Sequence, residues 1–320
     1  MLAPAFGALG YELDNVKVKN VISNPIIYPV ILSGGSGSRL WPISRKNFPK
    51  QLQSFNKGNS LIQETVLRVA VHDNECFQPP IVVCNEEHKF IVAEQLRAIA
   101  VEPKAIIVEE EGRDTAPAVT LAADLVRGEP NALLLVMPSD HFIRQPNVLR
   151  TSVLSAVATA ARGYLVLFGI IPEKVSTAFG YIRCGSPLGE NIFGIKSFFE
   201  KPDEEAAKEF VESGECYWNS GIFLLGACTF LKELQKWQPK VFSVCNSAMK
   251  KAKSDLHFLR PNMSDFLKSP RISIDYAVME NTTKGAVVPV KMGWTDIGSW
   301  SSVYQESDKD AHGNVLVGDV

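Results

Sequence analysis

A glycine-rich stretch directly after an apolar run is the feature of this sequence with the clearest chemical meaning. The apolar run covers residues 29–33 and leads into Gly34-Gly35-Ser36-Gly37-Ser38-Arg39-Leu40. Glycine has no Cβ, so backbone N–H groups in such a turn can approach phosphate oxygens closely. No Gly-Lys-Ser/Thr follows, as a P-loop needs, and Leu40 stands where a dinucleotide fingerprint needs its third glycine. The stretch therefore predicts a phosphate-binding turn of another type.

Basic residues crowd just beyond the glycines, and they are Arg39, Arg45, Lys46 and Lys50. Such a cluster could neutralise a triphosphate and a departing pyrophosphate. A solvated basic loop is the simpler alternative, but it does not explain why the cluster comes directly after a buried strand and glycines. The combination favours a site for a polyphosphate.

Two further polar clusters begin where apolar runs end. Asp140 follows the run of residues 132–137. A carboxylate there could hold Mg²⁺ against phosphate oxygens, since Mg²⁺ prefers a few carboxylates together with phosphates. A helix N-cap is the alternative role. Lys201 follows an apolar strand and precedes Pro202, which places its ammonium at a strand end; the alternative is a surface pair with Glu200.

Asn219 and Asp296 both stand two residues before a glycine, where a turn alone could account for them. The amide of Asn219 has donors and an acceptor that suit vicinal hydroxyls, and a turn asparagine is the alternative. Asp296, taken by itself, indicates only a turn.

The composition argues against several classes of function. A formal net charge of -2 over 320 residues argues against a general nucleic-acid binder, which needs an excess of Lys and Arg. The six cysteines form no CxxC pair and no Cys/His metal pattern, which predicts free thiols in a reducing cytoplasm. No basic start of a secretory signal is present, and no window is apolar over the roughly 18–20 residues of a membrane helix. We therefore expect a cytoplasmic protein without a membrane partner.

Apolar strands alternate with helical patterns over residues 29–170, which predicts βαβ units. The expected fold class is α/β, with a Rossmann-like, mostly parallel mixed sheet and helices on both faces. Ligands bind beyond the carboxyl ends of the strands in such sheets. From Phe179 onward, short strands separated by turns predict an antiparallel or mixed part. Helices are predicted over residues 60–70, 114–127, 148–162 and 204–213.

Residues 34–51 resemble the signature of the sugar-nucleotide pyrophosphorylases. Trp41, Ser44-Arg45 and Gln51 resemble the mannose-1-phosphate guanylyltransferases in particular. The resemblance covers nearly the whole chain from about residue 28, through the motifs GRDTAPA (112–118), PSDH (138–141), FEKP (199–202), WNSGIF (218–223), SIDYAVME (273–280) and GWTDIGSW (293–300). It implies the nucleotide-diphospho-sugar transferase type of fold and the transfer of GMP from GTP to mannose 1-phosphate with Mg²⁺.

The resemblance also implies roles for individual residues. The nucleotide is expected to contact Leu32, Gly34, Gly35, Ser36, Gly37, Ser38, Arg39 and Asp114. The sugar phosphate is expected to contact Gly180, Glu200, Lys201 and Asn219. The metal is expected on Asp140 and Asp296, and the catalytic charges are expected from Arg39, Lys50 and Lys201.

Two positions depart from the family pattern. Asp114 stands where asparagine is usual; it could accept hydrogen bonds from guanine N1–H and N2–H₂, or cap the helix that follows. Ala178 stands where glycine is more frequent, which affects the sugar-side loop. We assign no chemistry to residues 273–280, where Ser273 and Asp275 fit a helix start. His141 is expected to pack or hydrogen-bond rather than act as a base.

The expected organisation has three parts. Residues 1–28 form an N-terminal extension, residues 29–305 a nucleotidyltransferase domain, and residues 306–320 the start of a further β element. Within the domain, residues 29–170 bind the nucleotide and residues 171–305 bind the sugar. A nucleotidyltransferase for another hexose 1-phosphate and a non-catalytic nucleotide-sugar sensor are the alternatives, and a homodimer is left open.

Overall fold

The structure is a computed structural model that describes residues 25–35, 38–55, 58–70 and 76–316. The strands are β1 (Ile26–Ser33), β2 (Ile81–Asn85), β3 (Ala105–Glu109), β4 (Ala132–Pro138), β5 (Phe142–Ile143), β6 (Leu165–Ile170), β7 (Tyr181–Gly189), β8 (Ile192–Phe199), β9 (Cys216–Gly226), β10 (Lys253–Asp255), β11 (Phe258–Arg260), β12 (Gly285–Val290) and β13 (Trp294–Thr295). The helices are α1 (Leu61–Leu67), α2 (Lys89–Ala98), α3 (Thr115–Leu125), α4 (Pro146–Ala161), α5 (Glu204–Ser213), α6 (Ala227–Trp237), α7 (Pro239–Lys250), α8 (Met263–Phe266) and α9 (Trp300–Glu306).

One large mixed sheet organises the chain. Its strand order is β10-β11-β3-β2-β1-β4-β9-β6-β12-β8-β7, with a further pairing of β9 with β7. The strands β11, β3, β2, β1 and β4 are mutually parallel, as are β6 and β12, while β9 runs antiparallel to both β4 and β6. The α/β class with a Rossmann-like nucleotide half is thus confirmed, and the antiparallel strands come from the part of the chain after Phe179.

Helices cover both faces of the sheet, because its inner strands are apolar on both sides. Ile27 and Ile31 of β1 belong to a core with α2 and α4, whereas Val30 belongs to the opposite core with α3 and α6. Adjacent residues of a strand point to opposite faces, so a fully apolar run can fill two cores at once. None of the described helices combines the length and apolarity needed to cross a bilayer.

Local signals set several helix ends as expected. Ser60 and Gln63 form the predicted capping box at the start of α1, with Gln63 N–H donating to Ser60 Oγ over 3.4 Å and Ser60 N–H donating to Gln63 Oε1 over 2.9 Å. Gly214 ends α5 in the left-handed conformation, with φ at 67°. Asp114 stands at the N-cap of α3, one residue before the helix begins.

Two features of the structure lie at the ends of the expected domain. Strand β1 begins at Ile26, so its first residues fall inside the expected extension, and Pro29 lies within a strand that is paired on both sides. A proline removes one ladder hydrogen bond, and the apolar residues around it still form the strand. Residues 1–24 lie outside the described residues. After α9, Asp310 accepts hydrogen bonds from two backbone N–H groups and forms a turn, and the described residues 307–316 contain no strand.

Candidate active site

A cavity of about 460 Å³ opens at the carboxyl ends of the parallel strands β1, β2, β3 and β4. Its floor is apolar and includes Val83 and Ala118. Predicted site residues that line it are Leu32, Gly34, Gly35, Asp114 and Asp140. The cavity therefore lies where parallel α/β sheets bind their ligands, and it gathers residues from distant parts of the chain.

Gln51 holds the glycine-rich turn in place. Its side-chain amide donates hydrogen bonds to the backbone oxygens of Gly34 and Gly35, over 3.1 and 3.2 Å. Gly35 has a φ of 85°, a conformation that residues with a Cβ adopt only with strain. The sequence motif included Gln51 without explaining it, and its role here is structural support of the turn. The predicted Ser36 and Gly37 lie outside the described residues, and Ser38 starts the short turn Ser38–Leu40.

Lys50 contacts both of the loops that carry the carboxylates predicted to bind the metal. Its buried ammonium lies 3.0 Å from Asp140 Oδ2 and donates to the backbone oxygens of Asp296 and Ile297 over 2.6 and 3.3 Å. Three donors of one ammonium are thereby used inside the protein. Lys50 is thus placed to neutralise Asp140 and to hold the Asp296 loop against it, in addition to any contact with substrate.

A short antiparallel ladder brings these two loops together. Strands β5 and β13 pair with Thr295 opposite Phe142 and with Trp294 opposite Ile143. Asp140 lies just before β5 and Asp296 just after β13, so residues 156 positions apart are held side by side. The sequence did not indicate either strand, because two-residue strands carry no periodic pattern.

Arg39 lies beside the Asp296 carboxylate. A Cβ on Gly298 would be 3.1 Å from Arg39 Nη1 and 3.0 Å from Asp296 Oδ2, so both side chains crowd the same glycine. A side chain at position 298 would require the Arg39 or Asp296 side chain to shift. Arg39 itself is exposed, which leaves its guanidinium available to an anion in the cleft.

The charges around Asp140 favour its ionised form. Burial by itself raises the pKa of Asp140, but the neighbouring positive charge and the hydrogen bond from Lys50 outweigh it, so the pKa lies below its usual value. The described residues hold no group of three or more His, Cys, Asp or Glu side chains that could enclose a cation. Mg²⁺ often takes one or two carboxylates and completes its shell with water and substrate phosphates. Asp140 and Asp296 therefore fit a divalent cation shared with a bound polyphosphate.

Glu109 is a functional candidate that the sequence analysis missed. It ends strand β3 and lines the cavity at only 9% exposure. Its Oε1 atom is buried and has no hydrogen-bond partner among the described residues. Burial raises the pKa of Glu109 to about 8. The rule that singled out Asp140, an acidic residue directly after a buried parallel strand, would have found Glu109 too.

Asp114 caps α3 from the rim of the same cavity. Its Oδ1 accepts a 2.7 Å hydrogen bond from Thr115 N–H, and its φ is 70°. Of the two roles considered for Asp114, the cap is therefore present in the structure. The residue still lines the cavity, where its second oxygen can face a ligand.

The predicted sugar-side residues form a second group. A Cβ on Gly180 would lie 2.7 Å from Glu200 Oε2, so a side chain at position 180 would require the Glu200 carboxylate to move. Asn219 N–H donates to Gly180 O over 2.8 Å, and the Asn219 amide donates to Asp275 Oδ1 over 2.8 Å. The Asn219 side-chain oxygen accepts from Gly221 N–H over 2.9 Å, which is the turn role considered for it.

Asp275 is a buried carboxyl group in this second group, and the sequence analysis assigned no chemical role to it. Burial raises the pKa of Asp275 to about 6, with the hydrogen bond from Asn219 acting in the opposite direction. The expected capping role of Ser273 is present, since its hydroxyl accepts from Tyr276 N–H over 3.3 Å. Asp275 lies in the first turn of the short helix Asp275–Met279, as expected, and in addition accepts the hydrogen bond that fixes the Asn219 amide.

Lys201 belongs to this second group, beside Glu200. The two side chains approach to 3.5 Å and are 67% and 39% exposed. Lys201 has a φ of 43°, so its backbone is strained. The structure thus places an exposed ammonium next to Glu200, whose carboxylate lies against Gly180.

The sugar-side residues pack against residues that line the cavity. A Cβ on Gly221, two residues after Asn219, would contact Pro138 at 3.5 Å, and Pro138 lines the cavity. Thr115, which also lines the cavity, accepts a 2.9 Å hydrogen bond from Ile274 N–H through its hydroxyl. The sugar-side residues are therefore continuous with the nucleotide-side cavity.

The family model described as nucleotidyl transferase matches residues 28–313. The chain belongs to the nucleotidyl transferase family. Among solved structures, this nucleotidyl transferase is similar to one described as a mannose-1-phosphate geranyltransferase from Thermus thermophilus, with a TM-score of 0.79 and 28% identity, covering 92% of this chain and 82% of that one.

Curated relatives of the nucleotidyl transferase are more similar in sequence. The alginate biosynthesis protein AlgA of Pseudomonas syringae pv. tomato is 48% identical over 91% of this chain, and the mannose-1-phosphate guanylyltransferase of Salmonella montevideo is 46% identical over 92%. The chain spans only 60% and 63% of the lengths of these two relatives.

Proposed function

We propose that this chain transfers GMP from GTP to mannose 1-phosphate and releases pyrophosphate. The observation that carries the proposal is the meeting of Arg39, Lys50, Asp140 and Asp296 at one edge of a cavity that the glycine-rich turn lines. Cations and carboxylates are brought together where two mutually repelling phosphates have to react. The names of the relatives support the choice of donor and acceptor.

The proposed reaction is an in-line displacement at the α-phosphorus of GTP. A phosphate oxygen of mannose 1-phosphate forms the new bond to this phosphorus while the bond to the β-phosphate oxygen breaks, and the electron pair leaves with pyrophosphate. The attacking oxygen is already anionic at neutral pH, so the reaction needs no general base. Catalysis then consists of positioning and charge neutralisation.

Each charged residue has a distinct part in this proposal. Arg39 and the glycine-turn amides hold the leaving phosphates, while Lys50 keeps Asp140 and the Asp296 loop in place near the reacting phosphorus. Lys201 holds the incoming phosphate, and Glu200 accepts hydrogen bonds from sugar hydroxyls. Asp140 and Asp296 would hold Mg²⁺, which would supply further neutralisation of the phosphate charge.

Glu109 supports guanine as the base. Guanine presents an N1–H and an N2–H₂ donor on one edge, and a carboxylate can accept from both at once. Adenine offers an acceptor at N1 instead. Guanine can therefore donate to both oxygens of the ionised Glu109 side chain, including the buried Oε1, whereas adenine has a single donor, N6–H₂, on this edge and would leave one oxygen unsatisfied.

A substrate matrix tests the proposed function. Pyrophosphate release is measured with each of the four common nucleoside triphosphates against mannose, glucose and galactose 1-phosphates, with and without Mg²⁺. We expect the highest kcat/KM for GTP with mannose 1-phosphate and little release without the metal. Preference for another pair would point to a different nucleotidyltransferase, and binding without release would point to a sensor. The six cysteines form no disulfide in the structure, which supports the cytoplasm as the location.

A further inference from the structure

Four aromatic rings form a continuous chain of contacts across the active site. The centroids of His141 and Trp294 are 5.2 Å apart, with the rings nearly perpendicular at 86°. Phe179 continues the chain, with centroids 5.1 Å from Trp294 and 5.0 Å from Trp218. Edge-to-face and tilted contacts at these distances are the favourable arrangements for aromatic pairs. The rings therefore pack as one cluster, which we call the aromatic bridge.

Every ring of the aromatic bridge stands beside a site residue in the chain. His141 directly follows Asp140, and Trp294 lies two residues before Asp296. On the sugar side, Phe179 directly precedes Gly180 and Trp218 directly precedes Asn219. Each site loop is consequently held by an aromatic ring close to its site residue. The rings near the two carboxylates, His141 and Trp294, contact the sugar-side rings through the Trp294–Phe179 pair.

One hydrogen bond within the bridge sets the state of the histidine. Trp294 Nε1–H donates to His141 Nδ1 over 3.1 Å, and because the indole nitrogen can only donate, Nδ1 must be the acceptor. The proton of the neutral imidazole is then on Nε2. This atom faces Asp140 Oδ1 at 3.8 Å, beyond hydrogen-bond length but close enough for attraction between an N–H dipole and a carboxylate.

The Asp140 carboxylate is thus held from two sides. Its Oδ2 atom is paired with Lys50 at 3.0 Å, while Oδ1 faces His141. Arg68 donates a hydrogen bond to the backbone oxygen of His141, which fixes the loop itself. A carboxylate with both oxygens oriented can bind a cation in only a narrow range of directions.

We propose that His141 and Trp294 are positioning residues, which hold Asp140 and Asp296 in register with each other and with the sugar-phosphate loops. This inference rests on the proposed function, since it takes the two carboxylates as the metal-facing groups. Groups that orient metal-binding side chains usually change metal affinity or activity by about 10–100-fold when they are lost. Neither residue needs to touch a substrate to have this effect.

Matched aromatic variants test the proposal. Trp294→Phe keeps a ring but removes the N–H donor, and His141→Phe keeps a ring but removes both nitrogens. The control is Trp237→Phe, the same change on α6, where the indole donates to Glu233 Oε2 over 3.2 Å away from the site. Binding of Mn²⁺ in the presence of GTP is followed by electron paramagnetic resonance, together with kcat, both KM values and the melting temperature.

We expect Trp294→Phe and His141→Phe to weaken Mn²⁺ binding and lower kcat by about 10–100-fold, with smaller changes in the KM for GTP. His141→Gln, which restores an N–H near the Nε2 position, should recover part of the loss. Trp237→Phe should match the wild type. If Trp294→Phe and His141→Phe bind Mn²⁺ as tightly as Trp237→Phe does, the proposal is overturned, even when the two site variants have lower melting temperatures. A wild type that binds Mn²⁺ and GTP but forms no product refutes the proposed function alone, because the Mn²⁺ comparison still decides the positioning role.

Discussion

Lys50 and Asp140 form an ion pair in which Nζ and Oδ2 are 3.0 Å apart and the lysine side chain is only 7% exposed. The same ammonium donates to two carbonyl oxygens of the Asp296 loop. A strand-end carboxylate and a loop from the other end of the domain are therefore joined through one buried cation. Several measurable consequences follow from this arrangement and from the groups around it.

Replacement of Lys50 by Met should affect both stability and catalysis. The variant leaves the Asp140 carboxylate without its cation and the Asp296 loop without two hydrogen bonds. We expect a loss of about 2 kcal/mol in the free energy of unfolding, below the 3–5 kcal/mol typical of a fully buried pair because Asp140 is 27% exposed. We also expect kcat to fall by about 100-fold or more.

Urea unfolding and steady-state kinetics measure both effects of Lys50→Met. Lys208→Met is the control, since Lys208 pairs with Glu212 on the surface of α5 and should change stability by less than about 0.5 kcal/mol. If Lys50→Met and Lys208→Met lost the same stability and activity, the buried pair would contribute no more than a surface pair.

Replacement of Glu109 by Gln should reduce the preference for guanine. The amide offers one acceptor where the carboxylate offers two, and a hydrogen bond to a charged group contributes about 1.5–3 kcal/mol. The kcat/KM for GTP should therefore fall by about 10–100-fold, while the low value for ATP changes little. Glu110→Gln, at the exposed neighbouring position, should leave the preference intact. An unchanged GTP/ATP ratio in Glu109→Gln would exclude contact with the base.

The same residue should make the stability of the unliganded protein depend on pH. Burial raises the pKa of Glu109 from the ordinary 4.5 to about 8. Between these values the folded state binds more protons than the unfolded state, so the free energy of unfolding falls as pH rises. From about pH 5.5 to about pH 8, this residue alone should reduce it by on the order of 3 kcal/mol.

Urea titrations of wild type and Glu109→Gln at both pH values check this dependence. Glu109→Gln should have a higher free energy of unfolding than the wild type at the higher pH, and its advantage should shrink at the lower pH. A difference in the free energy of unfolding that is the same at both pH values would mean that Glu109 is ionised throughout. GTP binding should reduce this difference at the higher pH, because it gives the carboxylate its hydrogen-bond partners.

Replacement of Lys201 by Ala should separate the two substrates. The exposed ammonium lies beside the sugar-side group and makes its ion pair with Glu200. We expect the KM for mannose 1-phosphate to rise by about tenfold or more, with the KM for GTP nearly unchanged, because only the incoming phosphate loses a charge partner. Initial rates over a grid of both substrates measure the two constants. Equal increases in both KM values would refute the assignment.

Much of the fold and part of the site followed from local patterns. The apolar strands, the Ser60–Gln63 capping box and the Gly214 stop are properties of short segments, and the structure contains them. Asp140 was recognised because it follows a buried strand, which is a rule about one chain segment. Glu109 satisfies the same rule and was overlooked, so that omission was not a limit of the sequence.

Other features depend on neighbours that are distant in the chain. Asp275 stands in the first turn of a predicted helix, which is sufficient to explain it in sequence, and only the fold shows that it accepts a hydrogen bond from the amide of Asn219, 56 positions away. Likewise, Lys50 was expected near the reacting phosphate, while its contacts with Asp140 and the Asp296 loop could not be expected from its own segment.

The amino-acid sequence by itself determined the α/β class, the glycine-rich turn and the charged residues available for chemistry, because strand periodicity, glycine content and side-chain type act locally. Only the tertiary structure decided which of these groups meet. The β5–β13 ladder and the aromatic bridge set the relation between Asp140 and Asp296. The pairings of β5 with β13 and of His141 with Trp294 join segments more than a hundred residues apart, whose contacts no local pattern specifies.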